Sequence, residues 1–243
     1  GVSGGNSCHE RTEAQVMIGH HHISVGADTL TYALAYARLG WPVFPVHTTR
    51  DGQCTCGRTP CAHPGKHPRT RRGFKDASVD PQQIGRWGHM WKLSNVAVAT
   101  GVASGLVVID VDDEGAFGTL VDRFGTMPTT VEQSTGRGRQ LFFRYPAGAR
   151  LRSRTALDRV GGVDVRADGG YVIVPPSRHV CGRKYTWEIL SDPAEGAELS
   201  DLRDQWLVAL ADNSAPSHPN ERRLDEPVLR EGTRNDGLFR LAC

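Results

Sequence analysis

Long apolar runs and a strong excess of one charge are both missing from this sequence. No stretch of about eighteen apolar residues occurs in its 243 residues, so no membrane-spanning helix is predicted. No apolar segment follows a basic start, so no secretory signal peptide is predicted either. The formal net charge is only +2, and binding to nucleic acid would therefore need a local basic patch. These absences favour a globular protein with no membrane partner, built as one large domain or two small ones.

Cysteine is also scarce, and its distribution is informative. The chain has six cysteines, too few for a disulfide framework at this length, and three of them lie in the segment CTCGRTPCAHPGKHP. Such clustering indicates a metal site and a reducing cytoplasm. Because zinc takes four thiolate or imidazole ligands, we favour a structural Zn²⁺ bound by Cys54, Cys56, Cys61 and His67, with His63 as substitute. A loop of three free cysteines is the alternative.

The hydrophobic pattern predicts helices and strands that follow one another along the chain, which is typical of a mixed α/β (α+β) fold. Helices are predicted in DTLTYALAYARLG, DPQQIGRWGHMW, EGAFGTLVDRFG and LSDLRDQWLVALAD. Strands are predicted in WPVFPV, NVAVAT, LVVIDV, TVEQST and QLFFRYP. The segment GVDVRADGGYVIVPPS is expected to form a β-hairpin with a tight turn at Asp168-Gly169-Gly170.

Acidic residues follow the most apolar strand without a break, in LVVIDVDDEG. Alternate side chains of a strand point to the same face, so Asp110 and Asp112 should project together while Val111 faces the core. Two such carboxylates repel unless a cation lies between them, and Mg²⁺ or Mn²⁺ suits oxygen ligands. The alternative is that both acids only cap or decorate a turn. That alternative is the better explanation for Asp113 and Glu114, which lie at a predicted helix start.

A third carboxylate, Asp164, is flanked by apolar residues in the later strand GVDV. If this strand and LVVIDV are neighbours, three carboxylates converge on one point. Such an arrangement fits a two-metal site for phosphoryl transfer, in which the ions lie about 3.5–4 Å apart.

Basic side chains are concentrated in two loops. The first follows the cysteines and contains Lys66, Arg69, Arg71, Arg72 and Lys75. A charge run is usually a solvated face, but a metal-bound loop would give this one a fixed shape, and we expect it to contact DNA phosphates. The second loop, GRGR, carries Arg137 and Arg139 beside glycines, which suits phosphate binding by guanidinium groups and backbone amides.

The chain is expected to divide into several parts. Residues 1–27 are predicted to be a mobile leader, partly vector-derived. Residues 28–212 are predicted to form one domain, with a zinc-binding and basic insertion at 51–75. A polar, proline-containing linker is predicted at 213–229, followed at 230–243 by the start of a truncated helical region.

Five segments together resemble the primase-polymerase domain of the archaeo-eukaryotic primase superfamily, in the form found on plasmids, phages and integrated elements. They are ALAYARLGWPVFPV, CTCGRTPCAHPGKHP, VAVATGVASGLVVIDVD, STGRGRQLFF and GVDVRADGGYVIVPPS, and they occur in the family's order. The resemblance implies a catalytic core with an RRM-like sheet, an N-terminal α/β subdomain and a small zinc-bound insertion. It also implies a template-directed DNA polymerase and primase that uses two Mg²⁺ or Mn²⁺ ions.

The resemblance also implies roles for individual residues. The family's metal-binding acids match Asp110, Asp112 and Asp164. Its nucleotide-binding motif matches STGRGRQLFF, with the candidate residues Ser134, Arg137, Gly138, Arg139 and Gln140. Gln140 stands where the family usually has histidine. Because glutamine can donate a hydrogen bond to phosphate but cannot carry a positive charge, this departure bears on nucleotide affinity.

The implied partners are a DNA template and primer, nucleoside triphosphates, and a helicase domain or protein that follows this domain in longer relatives. Two other functions stay open at this point. A metal-dependent nuclease would use the same acids but would degrade DNA without deoxynucleotides. A catalytically weak or dead module would bind single-stranded DNA and incorporate nothing, and Gln140 is the main argument for it.

Overall fold

The structure is a computed structural model that describes residues 28–211. The predicted leader at 1–27, the linker at 213–229 and the truncated region at 230–243 lie outside the described residues. Within residues 28–211 the α-helices are α1 (Thr29–Arg38), α2 (Pro81–Met90), α3 (Glu114–Phe124) and α4 (Asp204–Leu210). The strands there are β1 (Val43–Val46), β2 (Thr49–Arg50), β3 (Gln53–Cys54), β4 (Asn95–Ala99), β5 (Leu106–Val111), β6 (Val131–Ser134), β7 (Arg139–Arg144), β8 (Val163–Arg166), β9 (Tyr171–Val174) and β10 (Thr186–Trp187).

These strands form two antiparallel sheets and a small hairpin. The larger sheet has five strands in the order β10-β6-β7-β5-β8, and the smaller sheet has three in the order β1-β4-β9. Strands β2 and β3 pair only with each other. The predicted mixed α/β fold is confirmed, and the most apolar strand, β5, lies between β7 and β8 in the larger sheet.

The first three helices begin at aspartates that cap their free backbone N–H groups. Asp28, Asp80 and Asp113 each accept a 2.9 Å hydrogen bond from a backbone N–H two or three residues later. Such bonds satisfy donors that no helical carbonyl can reach. The predicted caps of α1 and α2 are thereby confirmed, as is the position of Asp113 at a helix start. None of the helices in the described part of the chain is long and apolar enough to cross a membrane.

The larger sheet is covered by apolar side chains on both faces. On one face Ile109 and Phe143 pack with α3 and α4, whose Trp206 is fully buried. On the other face Val108 and Phe142 pack with α1 and the smaller sheet. Every residue from 106 to 109 has 0 % exposure, which confirms that β5 is a core strand.

The strand pairing of the predicted hairpin over GVDVRADGGYVIVPPS is wrong, whereas the tight turn is present, since the Gly170 N–H donates to the Ala167 carbonyl at 3.1 Å. Strand β8 pairs with β5 in the larger sheet, whereas β9 pairs with β4 in the smaller one. The connection between them is attached elsewhere, because Asp168 accepts hydrogen bonds from the Tyr145 hydroxyl at 2.6 Å and from the Val102 N–H at 2.9 Å. Turn residues such as Gly169 suit a hairpin and a crossover equally, so the local sequence could not distinguish the two.

The last predicted helix is shorter than expected and begins only at Asp204. Upstream of it, Ser200 runs alongside Phe143 of β7. The Ser200 N–H donates to Thr130 Oγ1, and its carbonyl accepts from the Arg144 N–H. These contacts occupy backbone groups that a helix would need, so the segment before Asp204 stays extended.

Candidate active site and metal centre

Two carboxylates lie opposite each other at one end of the larger sheet, and a third follows closely. Asp110 of β5 is directly opposite Asp164 of β8 in the antiparallel register. Asp112 comes two residues later, just past the end of the strand, while Val111 between them is fully buried. The structure therefore makes β5 and β8 neighbours, the condition on which the predicted convergence of the acids depended.

One cation of the protein already lies between two of these acids. Arg166 follows Asp164 by two residues on β8, and its Nη2 is 2.7 Å from Asp164 Oδ2 and 3.3 Å from Asp110 Oδ2. The three side chains are only 15–30 % exposed, so these ion pairs are only partly screened by solvent. Sequence reasoning missed Arg166, although its spacing from Asp164 places both residues on one face of the strand.

A chain of buried amides holds Asp110 from the neighbouring strands. Gln140 of β7 is opposite Asp110 and donates a 2.9 Å hydrogen bond to its Oδ1. Gln133 of β6 donates in turn to Gln140 Oε1 and, at 2.8 Å, to the Ile173 carbonyl of β9. Gln133 is fully buried, and its Oε1 has no hydrogen-bond partner among the described residues. The amides therefore orient Asp110, and the side chain of Gln140 is already engaged on both sides.

The charge state of Asp110 depends strongly on its surroundings. Burial raises the pKa of Asp110, the hydrogen bond from Gln140 and the charge of Arg166 lower it, and the charge of Asp112 raises it again. A buried carboxylate of this kind is stabilised by a further cation. The donor atoms are all carboxylate oxygens, which match the ligands that Mg²⁺ and Mn²⁺ prefer. An ion bound to these acids would compete with Arg166 for their Oδ2 atoms.

Two side chains that sequence reasoning missed lie close to the acids. Tyr185 and His179 are 3 % and 5 % exposed. Burial raises the pKa of Tyr185, and the charges of Asp110 and Asp112 raise it further. Burial lowers the pKa of His179, while the charge of Asp112 acts in the opposite direction. Both residues belong to the segment after β9, and no spacing in the sequence connects that segment to the acids.

The predicted nucleotide-binding loop, between β6 and β7, passes close to the end of β5. A Cβ at Gly138 would lie 1.9 Å from the carbonyl oxygen of Val111, so only glycine permits this approach. Arg137 at the tip of the loop is exposed and makes no ion pair with any described residue. Ser134, at the end of β6, donates a hydrogen bond to Glu188.

Arg139 lies on the other side of the larger sheet. Its Nε is 2.7 Å from Glu114 Oε1 at the start of α3, and its Nη1 is 3.3 Å from Glu132 Oε1. The guanidinium carbon also lies 5.1 Å from the centre of the Phe117 ring. Strand alternation predicts that Arg139 faces away from Gln140, and the contacts of the two side chains agree with that geometry.

The metal-ligand candidates of the insertion form a compact cluster. The ligand atoms of Cys54, Cys56, Cys61 and His67 all lie within 4.8 Å of one another. His67 Nε2 is 3.2 Å from Cys54 Sγ and 3.5 Å from Cys61 Sγ. These separations suit tetrahedral Zn²⁺, whose bonds are about 2.3 Å to sulfur and about 2.0–2.1 Å to nitrogen. The four residues are the ones that the sequence favoured, and His63 is not part of the cluster.

The five basic residues predicted to contact DNA have three different environments. Arg69 points inwards, and its Nη2 donates a 3.0 Å hydrogen bond to the Leu93 carbonyl. Arg72 is exposed but forms a 2.7 Å ion pair with Asp76. The remaining three are exposed and make no ion pair with any described residue: Lys66, Arg71 and Lys75.

Part of the basic run lines an open cleft of about 520 Å³. Its walls include Arg71 and Lys75 together with Trp87 and Trp91, which are one helical turn apart at the end of α2. Both indole rings are partly exposed. A cleft that combines cationic and aromatic side chains is typical of surfaces that bind single-stranded nucleic acid.

Comparison with known proteins identifies the domain to which this geometry corresponds. The family model for Prim-Pol, described as bifunctional DNA primase/polymerase, N-terminal, matches residues 33–201. The match covers more than half of the chain, including the acids, the Cys/His cluster and the loop between β6 and β7. No curated protein matches the chain.

Proposed function

The chain belongs to the Prim-Pol family, and on this premise we propose that it is a template-directed DNA polymerase and primase. It would transfer nucleotides to a primer paired with a DNA template and release pyrophosphate. The resemblance to the form of this domain found on plasmids, phages and integrated elements favours a role in replicating such an element, with a helicase domain or protein as partner. The clustered thiols of the insertion favour the cytoplasm.

The opposition of Asp110 and Asp164 across β5 and β8 is the observation that carries this proposal. With Asp112 two residues beyond Asp110, these side chains form a donor set of oxygen atoms only. Such a set suits the divalent ions of phosphoryl transfer better than it suits zinc. The burial that raises the pKa of Asp110 adds to the affinity of the acids for a cation.

In the proposed reaction, the primer 3′-hydroxyl attacks the α-phosphorus of a nucleoside triphosphate. The bond from that phosphorus to the pyrophosphate oxygen breaks, and the hydroxyl proton is released. Two Mg²⁺ or Mn²⁺ ions held by Asp110, Asp112 and Asp164 would supply activation of the hydroxyl and charge neutralisation. The part played by Gln140 is to keep Asp110 in a fixed orientation, since positioning accounts for much of the rate in such reactions.

We propose that the loop between β6 and β7 contacts the nucleotide through Arg137 and the backbone around Gly138. Arg137 is exposed and free of ion pairs with the described residues, and Gly138 brings the backbone against the end of β5. The other residues of the predicted motif would support the site, because their side chains already contact other parts of the protein: Ser134, Arg139 and Gln140.

We further propose that the template strand follows the cleft beside the insertion. Arg71 and Lys75, which line the cleft, would contact its phosphates, and Trp91 would stack on an unpaired base. Because Arg69 is engaged by Leu93, its contribution would be to hold the loop in place. The structural Zn²⁺ of the insertion would fix the shape of this surface.

A second function is favoured by the ion pairs of Arg166. Because this side chain already bridges Asp110 and Asp164, the two acids are compensated without any metal. A module that binds single-stranded DNA without catalysis could retain this arrangement. It would bind through the cleft, with an affinity that falls steeply as salt increases, and it would incorporate no nucleotide.

The test is a primer-extension assay. The purified chain is incubated with a labelled primer–template, deoxynucleotides and Mn²⁺, beside Asp112→Asn. Asp112 is exposed and makes no side-chain hydrogen bond within the described residues, so this variant should fold normally. The proposal predicts extension and pyrophosphate release by the wild type alone.

Other outcomes identify the other functions. Shortening of the DNA in the absence of deoxynucleotides would indicate a nuclease. Salt-sensitive DNA binding without extension would indicate the binding module. In that case Gln140→His would show whether the missing family histidine is the cause, because extension would then be restored.

A further inference from the structure

His179 is a buried side chain that the proposed function has not yet used. It lies in the segment RHVCGRK after β9 and is only 5 % exposed. Its ring packs directly on the predicted nucleotide-binding loop, because a Cβ at Gly136 would lie 2.1 Å from ring atoms of His179. Gly136 therefore has to be glycine for the ring to occupy this place.

The hydrogen bonds of the ring define which nitrogen carries the proton. The backbone N–H of Cys181 donates to His179 Nδ1 at 3.3 Å, and Cys181 Sγ lies 3.0 Å from the same nitrogen. Because a backbone N–H can only donate, Nδ1 is an acceptor, and the neutral ring carries its proton on Nε2. His179 thus presents an N–H donor at Nε2.

That donor has no protein partner and is not sealed inside the core. The fully buried side-chain nitrogen and oxygen atoms without a partner in the described chain are Arg69 Nε and Gln133 Oε1. His179 Nε2 makes no hydrogen bond to a described residue and is not one of these atoms. It is therefore a directed donor on a buried side chain, open to a ligand from outside.

Two free cations flank the ring. Burial lowers the pKa of His179, and the charges of Lys66 and Arg137 lower it further. Arg137 is next to Gly136, which the ring contacts. Lys66 is brought close by Asn95, whose Nδ2 donates to the Gly65 carbonyl at 3.0 Å and to the Arg178 carbonyl at 2.8 Å.

The insertion is held to the same place by a second contact. The Tyr171 hydroxyl of β9 donates a 3.0 Å hydrogen bond to the carbonyl of Lys66. Three separate segments therefore meet here: the insertion at Lys66, the loop at Arg137 and the segment at His179. Two unpaired cations and a fixed N–H donor form the set of groups that binds phosphate oxygens.

We propose that His179, Lys66 and Arg137 form the site that binds the triphosphate of the incoming nucleotide. The inference rests on the proposed function, and it names the side chain that donates to phosphate while Gln140 is engaged by Asp110. His179 is a positioning and binding group; it transfers no proton. The charge of Asp112 acts on the His179 ring and raises its pKa, against the effect of burial, so a triphosphate bound here would lie beside the acids.

The test measures nucleotide binding without turnover. Binding of dTTP to the full chain is followed by calorimetry with Mg²⁺ and no DNA, beside thymidine as a ligand that lacks phosphates. His179→Phe keeps an aromatic ring but removes the Nε2 donor. Loss of a hydrogen bond to a charged group predicts dTTP binding weakened about 10-fold to 100-fold, with binding of thymidine unchanged.

Further variants guard against a simple folding defect. Gly136→Ala should displace the His179 ring without changing His179 itself, and it should also weaken dTTP binding. Lys66→Ala and Arg137→Ala should each weaken it, whereas Arg38→Ala, which removes an exposed cation at the end of α1, should not. In primer extension, His179→Phe should raise the nucleotide KM and leave kcat nearly unchanged.

Each result has one meaning. Equal dTTP affinity of folded His179→Phe and the wild type would overturn the inference, as would a wild type that binds no dTTP. If the wild type extends primers and His179→Phe shows no change in KM, the inference fails while the polymerase assignment stands. If dTTP binds through His179 but no primer is extended, the polymerase assignment fails while the phosphate site stands.

Discussion

The two metal-ligand clusters of this protein differ in what surrounds their donors. In the insertion, Cys54, Cys56, Cys61 and His67 lie within 4.8 Å of one another, and their donor atoms mainly face each other. At the end of β5, the acids are held by Arg166 and by Gln140. The carboxylate oxygens are less tightly grouped than the sulfur and nitrogen atoms of the insertion.

The two clusters are therefore expected to differ in how strongly the fold depends on their metal. We propose that a zinc ion bound by this cluster of the insertion would form part of the folded loop. Arg166 compensates part of the charge of Asp110 and Asp164, so we expect the sheet to fold without a metal at this site. The metal of the carboxylate site is therefore expected to bind together with the substrate and to exchange with ions in solution.

The largest effect is expected for primer extension by Asp112→Asn. The side chain is exposed and unpaired within the described chain, so the free energy of unfolding should change by less than about 0.5 kcal/mol. Extension should fall by at least about 100-fold, because charge stabilisation of the transition state is lost. Rates and thermal melting are measured on the same preparation. Wild-type rates in the variant would show that Asp112 only decorates the strand end.

The second effect concerns the zinc cluster. Cys54→Ser removes a buried ligand, and loss of the metal should lower the free energy of unfolding by roughly 4 kcal/mol. Zinc content by elemental analysis should fall together with the Tm. His63→Ala is the matched control, because His63 lies in the same loop but outside the cluster; it should retain zinc and the wild-type Tm.

The third effect concerns Arg166. Arg166→Gln should destabilise the metal-free protein by roughly 1–2 kcal/mol, less than for a fully buried pair, because these side chains keep some exposure. Adding Mn²⁺ should then raise the Tm more in Arg166→Gln than in the wild type, since the ion no longer competes with the guanidinium. An equal rise of the Tm in both proteins would show that Arg166 does not compete with the metal.

The smallest effect is a pH dependence. Burial raises the pKa of Asp110 above its unfolded value. Ionisation of Asp110 therefore lowers the free energy of unfolding once the pH rises above the ordinary carboxyl pKa. Asp110→Asn should therefore slightly raise the Tm at neutral pH. The gain should disappear when the pH falls below the ordinary carboxyl pKa, because the carboxyl is then protonated in both states. Thermal melts over a pH series measure this, and a variant less stable than the wild type at neutral pH would contradict it.

The sequence predicted those parts of the fold and site that depend on local pattern. Alternation along β5 placed Asp110 and Asp112 on one face, and the crowding of Cys54, Cys56 and Cys61 indicated the metal cluster. Helix caps such as Asp80 were predictable because capping needs only a few neighbouring residues.

What the sequence did not show depends on long-range pairing. Arg166 and Gln133 act through strands that come together only in the folded sheet, and His179 depends on a loop packed against Gly136. The crossover between β8 and β9 was missed because its turn residues also suit a hairpin. Tertiary contacts, not local propensity, decided each of these.

We propose that Asp110 and Asp164 bind the catalytic metal while the insertion holds a permanent zinc ion. The most direct measurement is electron paramagnetic resonance of Mn²⁺ bound to the zinc-loaded wild type, to Asp164→Asn and to His63→Ala. We expect Mn²⁺ binding by the wild type and His63→Ala, and strongly reduced binding by Asp164→Asn with unchanged zinc content. Equal Mn²⁺ binding by the wild type and Asp164→Asn would contradict it.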